Sequence, residues 1–239
     1  MTDITKLNLN RNHLYGRIPQ QISNLHKLSI LELNRNDLTG TIPPELGLYA
    51  SIETFTISSN NISGTIPKDL FSSALRSLNL SVNLLGGPIP EQVFLSKNLE
   101  RISLGSNMFT GTLSSSFGTS FPQLHTLMIE DNFLSGTIPE QIFSDEINSG
   151  LKYVNLGLNF LEGTIPNTIF DQTQLIMFDV GVNFLGGTIS SEVGSLTMLE
   201  QLILWTNELT GTVPTELGNL INLGKCTTRL VNNIYDRFV

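Results

Sequence analysis

Two adjacent carboxylates, Glu130 and Asp131, and a third, Asp179, are the charged side chains of this sequence whose spacing could serve a binding site. Hard cations such as calcium need six or more oxygen ligands. Midway between them, residues 153–158 offer Asn155 but also Gly157 and Leu158 at the corresponding positions. We therefore interpret the carboxylates as an acidic surface patch, and we expect neither a metal site nor a cofactor.

Residues that could support catalysis do not converge. The three histidines, His13, His26 and His125, occupy different places in different segments, and no metalloprotease, paired-cysteine, serine-hydrolase or phosphate-loop motif is present. The single cysteine, Cys226, stands where an apolar core residue is expected, which predicts a buried and inert thiol. The sequence therefore predicts a protein that is not an enzyme.

Composition excludes two classes of partner. The formal net charge is −8 and the isoelectric point is near 4.8, whereas nucleic-acid binding requires a basic surface. No apolar run approaches the roughly 18 residues of a membrane span. The first residues, MTDITKLNLN, lack the apolar core of a signal peptide.

An internal repeat positions all of these residues. An asparagine, which we call the anchor, recurs every 23 to 27 residues, and a glycine follows it four positions later each time. The apolar residues three and five positions before the anchor alternate with period two, which predicts short parallel strands stacked roughly 4.8 Å apart. We expect the anchor amides to satisfy backbone groups at the turn and so to form a ladder. The anchors are Asn12, Asn36, Asn60, Asn83, Asn107, Asn132, Asn159, Asn183 and Asn207.

The repeat follows the pattern LxxLxLxxNxLxGxIP, as in LSILELNRNDLTGTIP from Leu28 to Pro43. This pattern resembles the plant-type, extracellular class of leucine-rich repeat proteins. The resemblance implies a right-handed solenoid, or horseshoe, with a parallel sheet on its concave face and short 3-10 or irregular segments on its convex side. The pattern itself recurs nine times over residues 1–223, and residues 224–239 form a cap or tail whose spacing of apolar residues predicts a helical stripe.

The same resemblance implies a function. Relatives by repeat class are receptor-kinase ectodomains, receptor-like proteins and inhibitors of cell-wall hydrolases, which bind protein, peptide or glycan ligands. We therefore expect a non-enzymatic recognition module, extracellular or membrane-associated as part of a longer protein. The cysteine caps usual in secreted relatives are absent, since the chain has one cysteine.

Ligand contacts are expected at the outward positions six, four, two and one residues before each anchor. The last coils differ from the polar first coils, because they combine aromatic and aliphatic residues with glycines and contain the only tryptophan. We expect Gly157 and Gly181 to leave a shallow groove beside its indole. Such clusters mark interaction sites. With the acidic pair of the sixth coil, the predicted ligand-binding residues are Tyr153, Leu158, Met177, Asp179, Val182, Ile203, Trp205, Glu130 and Asp131.

Other interpretations stay open from sequence. The apolar patch could instead be covered by the chain's own tail or by a continuation of the solenoid. The first repeat has no cap, which favours either a fragment of a receptor-like kinase ectodomain or a structural protein that associates through this edge. Regular threonines suggest ice binding more weakly. Asn61 and Asn79 begin sequons for N-glycosylation, at a frequency that chance explains.

Overall fold

The predicted solenoid is confirmed by the computed structural model, which describes residues 3–49, 52–144 and 150–224. Nine coils, numbered here by their anchors, each place one strand in a nine-stranded parallel sheet, and the first eight place a second strand in an eight-stranded parallel sheet. The strands are β1 (Lys6–Asn8), β2 (Tyr15–Arg17), β3 (Ile30–Glu32), β4 (Asp37–Gly40), β5 (Thr54–Thr56), β6 (Asn61–Gly64), β7 (Ser77–Asn79), β8 (Leu84–Pro88), β9 (Arg101–Ser103), β10 (Met108–Thr112), β11 (Thr126–Met128), β12 (Phe133–Thr137), β13 (Tyr153–Asn155), β14 (Phe160–Thr164), β15 (Met177–Asp179), β16 (Phe184–Gly186) and β17 (Gln201–Ile203).

Odd-numbered strands form the first sheet, whose outer surface is the concave face, and even-numbered strands form the second sheet. The repeat pattern predicted the first sheet but not the second. Its pairing follows from the repeat itself. The extended segment after each anchor, which ends in GTIP or a variant of it and is called the GTIP segment here, lies beside that of the previous coil.

Short helices complete each coil on the convex side, as predicted. Prolines of the repeat stand directly before most of them; Pro139, for example, has φ −66°. Where Ser190 replaces proline, its Oγ accepts a hydrogen bond from the N–H of Glu192 at 3.2 Å. These segments are the 3-10 helices Gln20–Asn24, Lys68–Leu70, Glu91–Leu95, Glu140–Phe143, Asn167–Asp171, Ser191–Ser195 and Thr215–Asn219, with α1 (Leu46–Tyr49) and α2 (Ser116–Ser120).

One continuous apolar core runs through the coils. The positions five and three residues before the anchor point inward from the first sheet, and the position two residues after it points inward from the second. In the sixth coil these are Leu127, Ile129 and Leu134, all fully buried. Because each coil covers only its neighbours, stability accumulates from one coil–coil contact to the next.

The predicted anchor ladder is confirmed. In the seventh coil, Asn159 Nδ2 lies within hydrogen-bonding distance of the carbonyl oxygens of Ile129 (3.1 Å), Leu156 (3.2 Å) and Gly157 (3.1 Å). Its Oδ1 accepts the N–H of Leu134 from the preceding coil at 3.0 Å. One buried amide thus satisfies backbone groups of two coils where the strand ends. Equivalent contacts are made by Asn36, Asn60, Asn83, Asn107, Asn132, Asn183 and Asn207.

The glycine four positions after each anchor is needed for two reasons. Gly136 has φ +76°, in the left-handed region that side chains rarely adopt. A Cβ there would also lie 3.0 Å from Cγ2 of Thr112, one coil earlier. The threonine methyl of each GTIP segment therefore packs against the glycine of the next coil.

Strands of the second sheet are slipped by two residues from one coil to the next. Thr110 of β10 pairs with Phe133 of β12, and Ser135 of β12 pairs with Phe160 of β14. The residue three positions after one anchor therefore lies beside the residue one position after the next anchor. Equal positions of the repeat form slanted columns on this sheet, whereas on the concave face they lie directly side by side.

The two ends of the chain leave parts of the prediction open. Residues 225–239, which include Cys226 and the predicted cap helix, lie outside the described residues. At the first coil, Ile4 and Leu14 are exposed. Association through this coil stays a prediction.

Replacing Asn159 by Ala should lower the free energy of unfolding by about 3 kcal/mol, because the buried N–H of Leu134 loses its partner and three carbonyls lose a donor. Urea unfolding followed by circular dichroism measures this change. Asn167→Ala, at an exposed asparagine on the convex side, is the matched control and should cost far less. Equal effects of the two substitutions would contradict the structural role of the ladder.

Candidate functional site

The concave face presents its side chains in columns. The positions six and four residues before each anchor lie in the strands, as predicted, but the residue directly before the anchor does not continue the strand. It adopts a left-handed conformation in every coil, with φ between 50° and 57°. That column is Arg11, Arg35, Ser59, Val82, Ser106, Asp131, Leu158, Val182 and Thr206. These residues therefore project from a turn at the border between the two sheets.

Polar side chains of the first coils satisfy one another. Asn8 Nδ2 donates to the Glu32 carboxylate at 2.6 Å, and Lys6 Nζ lies 3.5 Å from the same carboxylate. In the next coils, Asn34 Nδ2 donates to Thr56 Oγ1 at 2.7 Å. A ligand at this end would have to compete with contacts that are already made.

The sixth to ninth coils offer more accessible apolar surface. Trp205 is 48% exposed, Ile203 is partly exposed two residues before it, and Tyr153 is partly exposed two coils earlier on the same face. Met177, predicted as a contact, lies between Tyr153 and Gln201 in the sheet register and is only 7% exposed. It therefore supports its neighbours but offers almost no surface to a ligand.

The glycines of this region do not leave the empty groove that the sequence suggested. A Cβ on Gly181 would lie 2.7 Å from Nε1 of Trp205, and a Cβ on Gly157 would lie 2.9 Å from Oδ1 of Asp179. The indole and the carboxylate thus occupy the space that the missing side chains vacate. The expectation of a groove beside the indole was wrong, because each large side chain leans onto the glycine of an earlier coil.

Two of the predicted carboxylates are largely buried on this face. Burial raises the pKa of Glu130 to about 7, and the charges of Asp179 and Asp131 add to this rise. Burial likewise raises the pKa of Asp179 to about 6, against the stabilising hydrogen bond that the Gly181 N–H donates to its Oδ1 at 2.9 Å. Glu130 Oε2 is buried and has no hydrogen-bond partner among the described residues. These side chains are acids that change charge near neutral pH.

The acidic patch is too sparse for a metal ion. Within residues 3–49, 52–144 and 150–224, no three His, Cys, Asp or Glu side chains stand close enough to hold one. Asn155 adds no free ligand, because it is buried and its Oδ1 already accepts the N–H of Gly157 at 3.0 Å. The patch can instead supply negative charge and hydrogen-bond acceptors to a ligand.

Sequence reasoning missed a second apolar surface, which we call the aromatic groove. Phe133, Phe160 and Phe184, each the residue directly after its anchor, stack with ring centroids 6.0 and 6.1 Å apart and are about half exposed. They face Leu158 and Val182 across a groove of about 380 Å³. Asp131 and Thr206 also line it, and anchors form its floor. The recurrence of Met, Phe, Phe and Phe at one repeat position was a signal that could have revealed it.

The two sequons differ in accessibility. Asn61 is exposed at the start of β6. Asn79 is partly buried on the concave face, where its Oδ1 accepts hydrogen bonds from the N–H (3.1 Å) and Oγ (2.7 Å) of Ser81. Glycosylation of either residue stays a prediction.

Comparison with known proteins agrees with this geometry. The family model for the Leucine Rich Repeat matches residues 3–25, 27–48, 51–73 and 98–120. The later coils carry the same anchors and the same ladder. The chain folds as a solenoid of leucine-rich repeats. Its GTIP segments resemble those of the plant-type class.

Solved structures similar to this solenoid include plant receptors. The plant peptide hormone receptor RGFR1 in complex with RGF2 shares 28% identity with a TM-score of 0.75, over 92% of this chain and 38% of that chain. PEPR1–AtPEP1 shares 32% identity with a TM-score of 0.75, over 90% of this chain and 33% of that chain. A plant ice-binding protein shares 26% identity with a TM-score of 0.70, over 87% of this chain and 74% of that chain.

This chain thus spans about a third to two fifths of the length of these two receptor chains. A comparison by sequence with proteins of curated function gave no match. Among the described residues of this solenoid, no helix is both long enough and apolar enough to cross a membrane.

The stability of this solenoid should depend on pH through Glu130. Its pKa is about 7 in the folded chain and near 4.5 ordinarily, so the unfolded chain ionises first as pH rises. Burial of this carboxyl therefore costs nothing below about pH 4.5 and increasingly destabilises the fold up to about pH 7. Glu130→Gln should raise the free energy of unfolding by roughly 3 kcal/mol at about pH 8 and leave it nearly unchanged at about pH 4.

Urea unfolding at the two pH values measures this difference. Glu162→Gln, at an exposed glutamate of β14, is the matched control and should show little change at either pH. A Glu130→Gln variant that is less stable than the wild type near pH 8 would show that the carboxylate is stabilising, contrary to this account.

Proposed function

We propose that this chain is a non-enzymatic recognition module that binds a peptide segment across the concave face of the sixth to ninth coils. The observation that carries the proposal is the half-exposed Trp205, which follows Ile203 at the end of β17, with the partly exposed Tyr153 two coils earlier on the same face. Tryptophan and tyrosine are the side chains that most often dominate binding energy, because they bury large areas at little entropic cost.

The acidic residues support a peptide with basic groups. Asp131 is exposed at the border of the face, and Glu130 and Asp179 lie on it. A cationic side chain placed between Asp179 and Trp205 would gain both charge attraction and a cation–π contact. Ionisation of the buried carboxylates would strengthen this attraction, so we expect tighter binding of a basic peptide above about pH 7.

Similar structures support a peptide ligand over a glycan or a folded protein. RGFR1, a peptide hormone receptor, was solved in complex with RGF2. By analogy of fold, we place this module outside the cell, as the sensing part of a longer receptor or as a soluble binder.

Ice binding is a weaker candidate, supported by the similarity to a plant ice-binding protein and by the threonines of the GTIP segments. A flat array of hydroxyls needs aligned strands, but the second sheet is slipped by two residues at each coil. Pro88, Glu162 and Gly186 also interrupt the threonine and serine positions. The geometry therefore favours peptide recognition.

Selection of a phage-displayed random-peptide library on the wild-type chain, with depletion on Trp205→Ala, tests the proposal. The recovered peptides should shift the emission of Trp205, the only tryptophan, to shorter wavelength, because binding buries the indole. Gly181→Ala, whose Cβ would displace the indole, should weaken these peptides by roughly tenfold.

The matched control is Gly218→Ala, since a Cβ at Gly218 meets no atom within 4 Å. It should leave both the affinity and the emission unchanged. Recovery of only those peptides that bind Trp205→Ala as tightly as the wild type would exclude the concave face of these coils as the peptide site.

A further inference from the structure

The aromatic groove is a second surface, which the concave-face proposal does not use. It lies along the border between the two sheets, and its walls are the phenyl rings on one side and Leu158 and Val182 on the other. Half-exposed phenylalanines in three successive coils form a contiguous apolar surface, which soluble proteins rarely leave without an interaction partner.

The wall opposite the rings is built from apolar residues in an unfavourable backbone conformation. Leu158 has φ 54° and Val182 has φ 57°. A left-handed conformation is costly for bulky residues, and especially for β-branched ones such as valine. Arginine, serine, aspartate or threonine takes this position in most other coils. At these two coils the strained side chains face the groove, where they enlarge its apolar wall.

The floor of the groove cannot recognise polar groups. Asn132, Asn159 and Asn183 line it, but their amides already bond to backbone groups of two coils. Each of their Oδ1 atoms accepts a backbone N–H at 2.9 to 3.0 Å. An occupant therefore gains free energy here by burying apolar side chains, without hydrogen bonds to the floor.

The structure beneath the rings restricts the occupant further. The three rings form one nearly parallel, offset stack, in which the planes of neighbouring rings differ by 14° and 25°. The strands below, β12 and β14, are paired on both sides. An extended peptide thus cannot add as a new strand and must bind through its side chains.

Charges near the groove are acidic. Asp131 lines one end, Glu162 lies two residues after Phe160 on the same strand face, and Glu208 takes the ring position in the ninth coil; all three are exposed. Among the residues that the structure describes, no lysine, arginine or histidine lines the groove. A complementary occupant carries positive charge beside its apolar side chains.

We propose that the aromatic groove docks a partner protein through a segment that presents aliphatic or aromatic side chains flanked by arginine or lysine. This partner is separate from the ligand of the concave face, although the two surfaces meet along the column of Leu158 and Val182. A bound ligand and a bound partner would then lie side by side on the same coils.

The test is a selection of random peptides on the Trp205→Ala chain. Peptides that also bind the triple variant Phe133→Ser/Phe160→Ser/Phe184→Ser are first removed by depletion. Working in the Trp205→Ala background keeps the groove separate from the concave-face site, so either proposal can fail without the other. The recovered peptides should combine aromatic or aliphatic residues with arginine or lysine. Phe160→Ser alone should weaken the binding of these peptides by roughly tenfold. The double variant Asp131→Lys/Glu162→Lys should also weaken their binding while leaving the stack of phenyl rings intact.

Leu95→Ser is the matched control, because Leu95 is an exposed apolar residue on the convex side; it should not change the affinity. Circular dichroism shows whether each variant is folded, and the Asp131→Lys/Glu162→Lys variant keeps the test decisive if a phenylalanine variant is not. Recovered peptides that are acidic or purely polar, or that bind Phe160→Ser unchanged, overturn the proposal.

Two other occupants of the groove, a second copy of the chain and the chain's own tail, would give different results. Dimerisation of the wild type in sedimentation equilibrium, lost in Phe160→Ser, would show that a second copy fills the groove. Peptides that bind only after removal of residues 225–239 would show that the chain's own tail fills it. Either result overturns docking of a separate partner.

Discussion

The hydrogen bonds of the anchor asparagine are the interaction on which the rest of this structure depends. Where each strand ends, the chain turns inward and leaves backbone groups with no sheet partner. A single buried amide satisfies groups of its own coil and of the coil before it, as Asn159 does for Leu156 and Leu134. Without that amide the turn would bury unpaired polar groups, which costs more free energy than one apolar contact returns.

The ladder also decides where recognition can occur. It holds successive coils in one register, so that equal positions of the repeat line up on the concave face. The amides of the ladder are already hydrogen-bonded at the border of the two sheets, so a ligand there can contact only apolar side chains and the acidic residues near the groove, such as Asp131. Specificity must therefore come from the residues between the repeat positions, such as Trp205 on one surface and Phe160 on the other.

Sequence alone predicted what a single coil requires. The period-two pattern around Leu31 and Leu33, the anchor and the glycine specify a strand, a turn and a return, and the structure confirms each of them. The sequence could not predict contacts that depend on how neighbouring coils pack against one another. The burial of Met177, the position of the indole against Gly181 and the strand register that pairs Ser135 with Phe160 all arise between coils. The identification of Trp205 as an exposed side chain was confirmed, and its role in binding stays a prediction.

The central claim is that folding and recognition use different columns of the same repeat. A scan of all single substitutions, sorted once for resistance to proteolysis and once for binding of a peptide selected on the wild type, tests it most directly. The account predicts that substitutions at the anchors, glycines and inward apolar positions reduce protease resistance. Substitutions at outward positions of the sixth to ninth coils, centred on Trp205, should reduce binding while resistance is kept. Binding that depended mainly on the outward positions of the first coils, or only on positions that also unfold the chain, would contradict it.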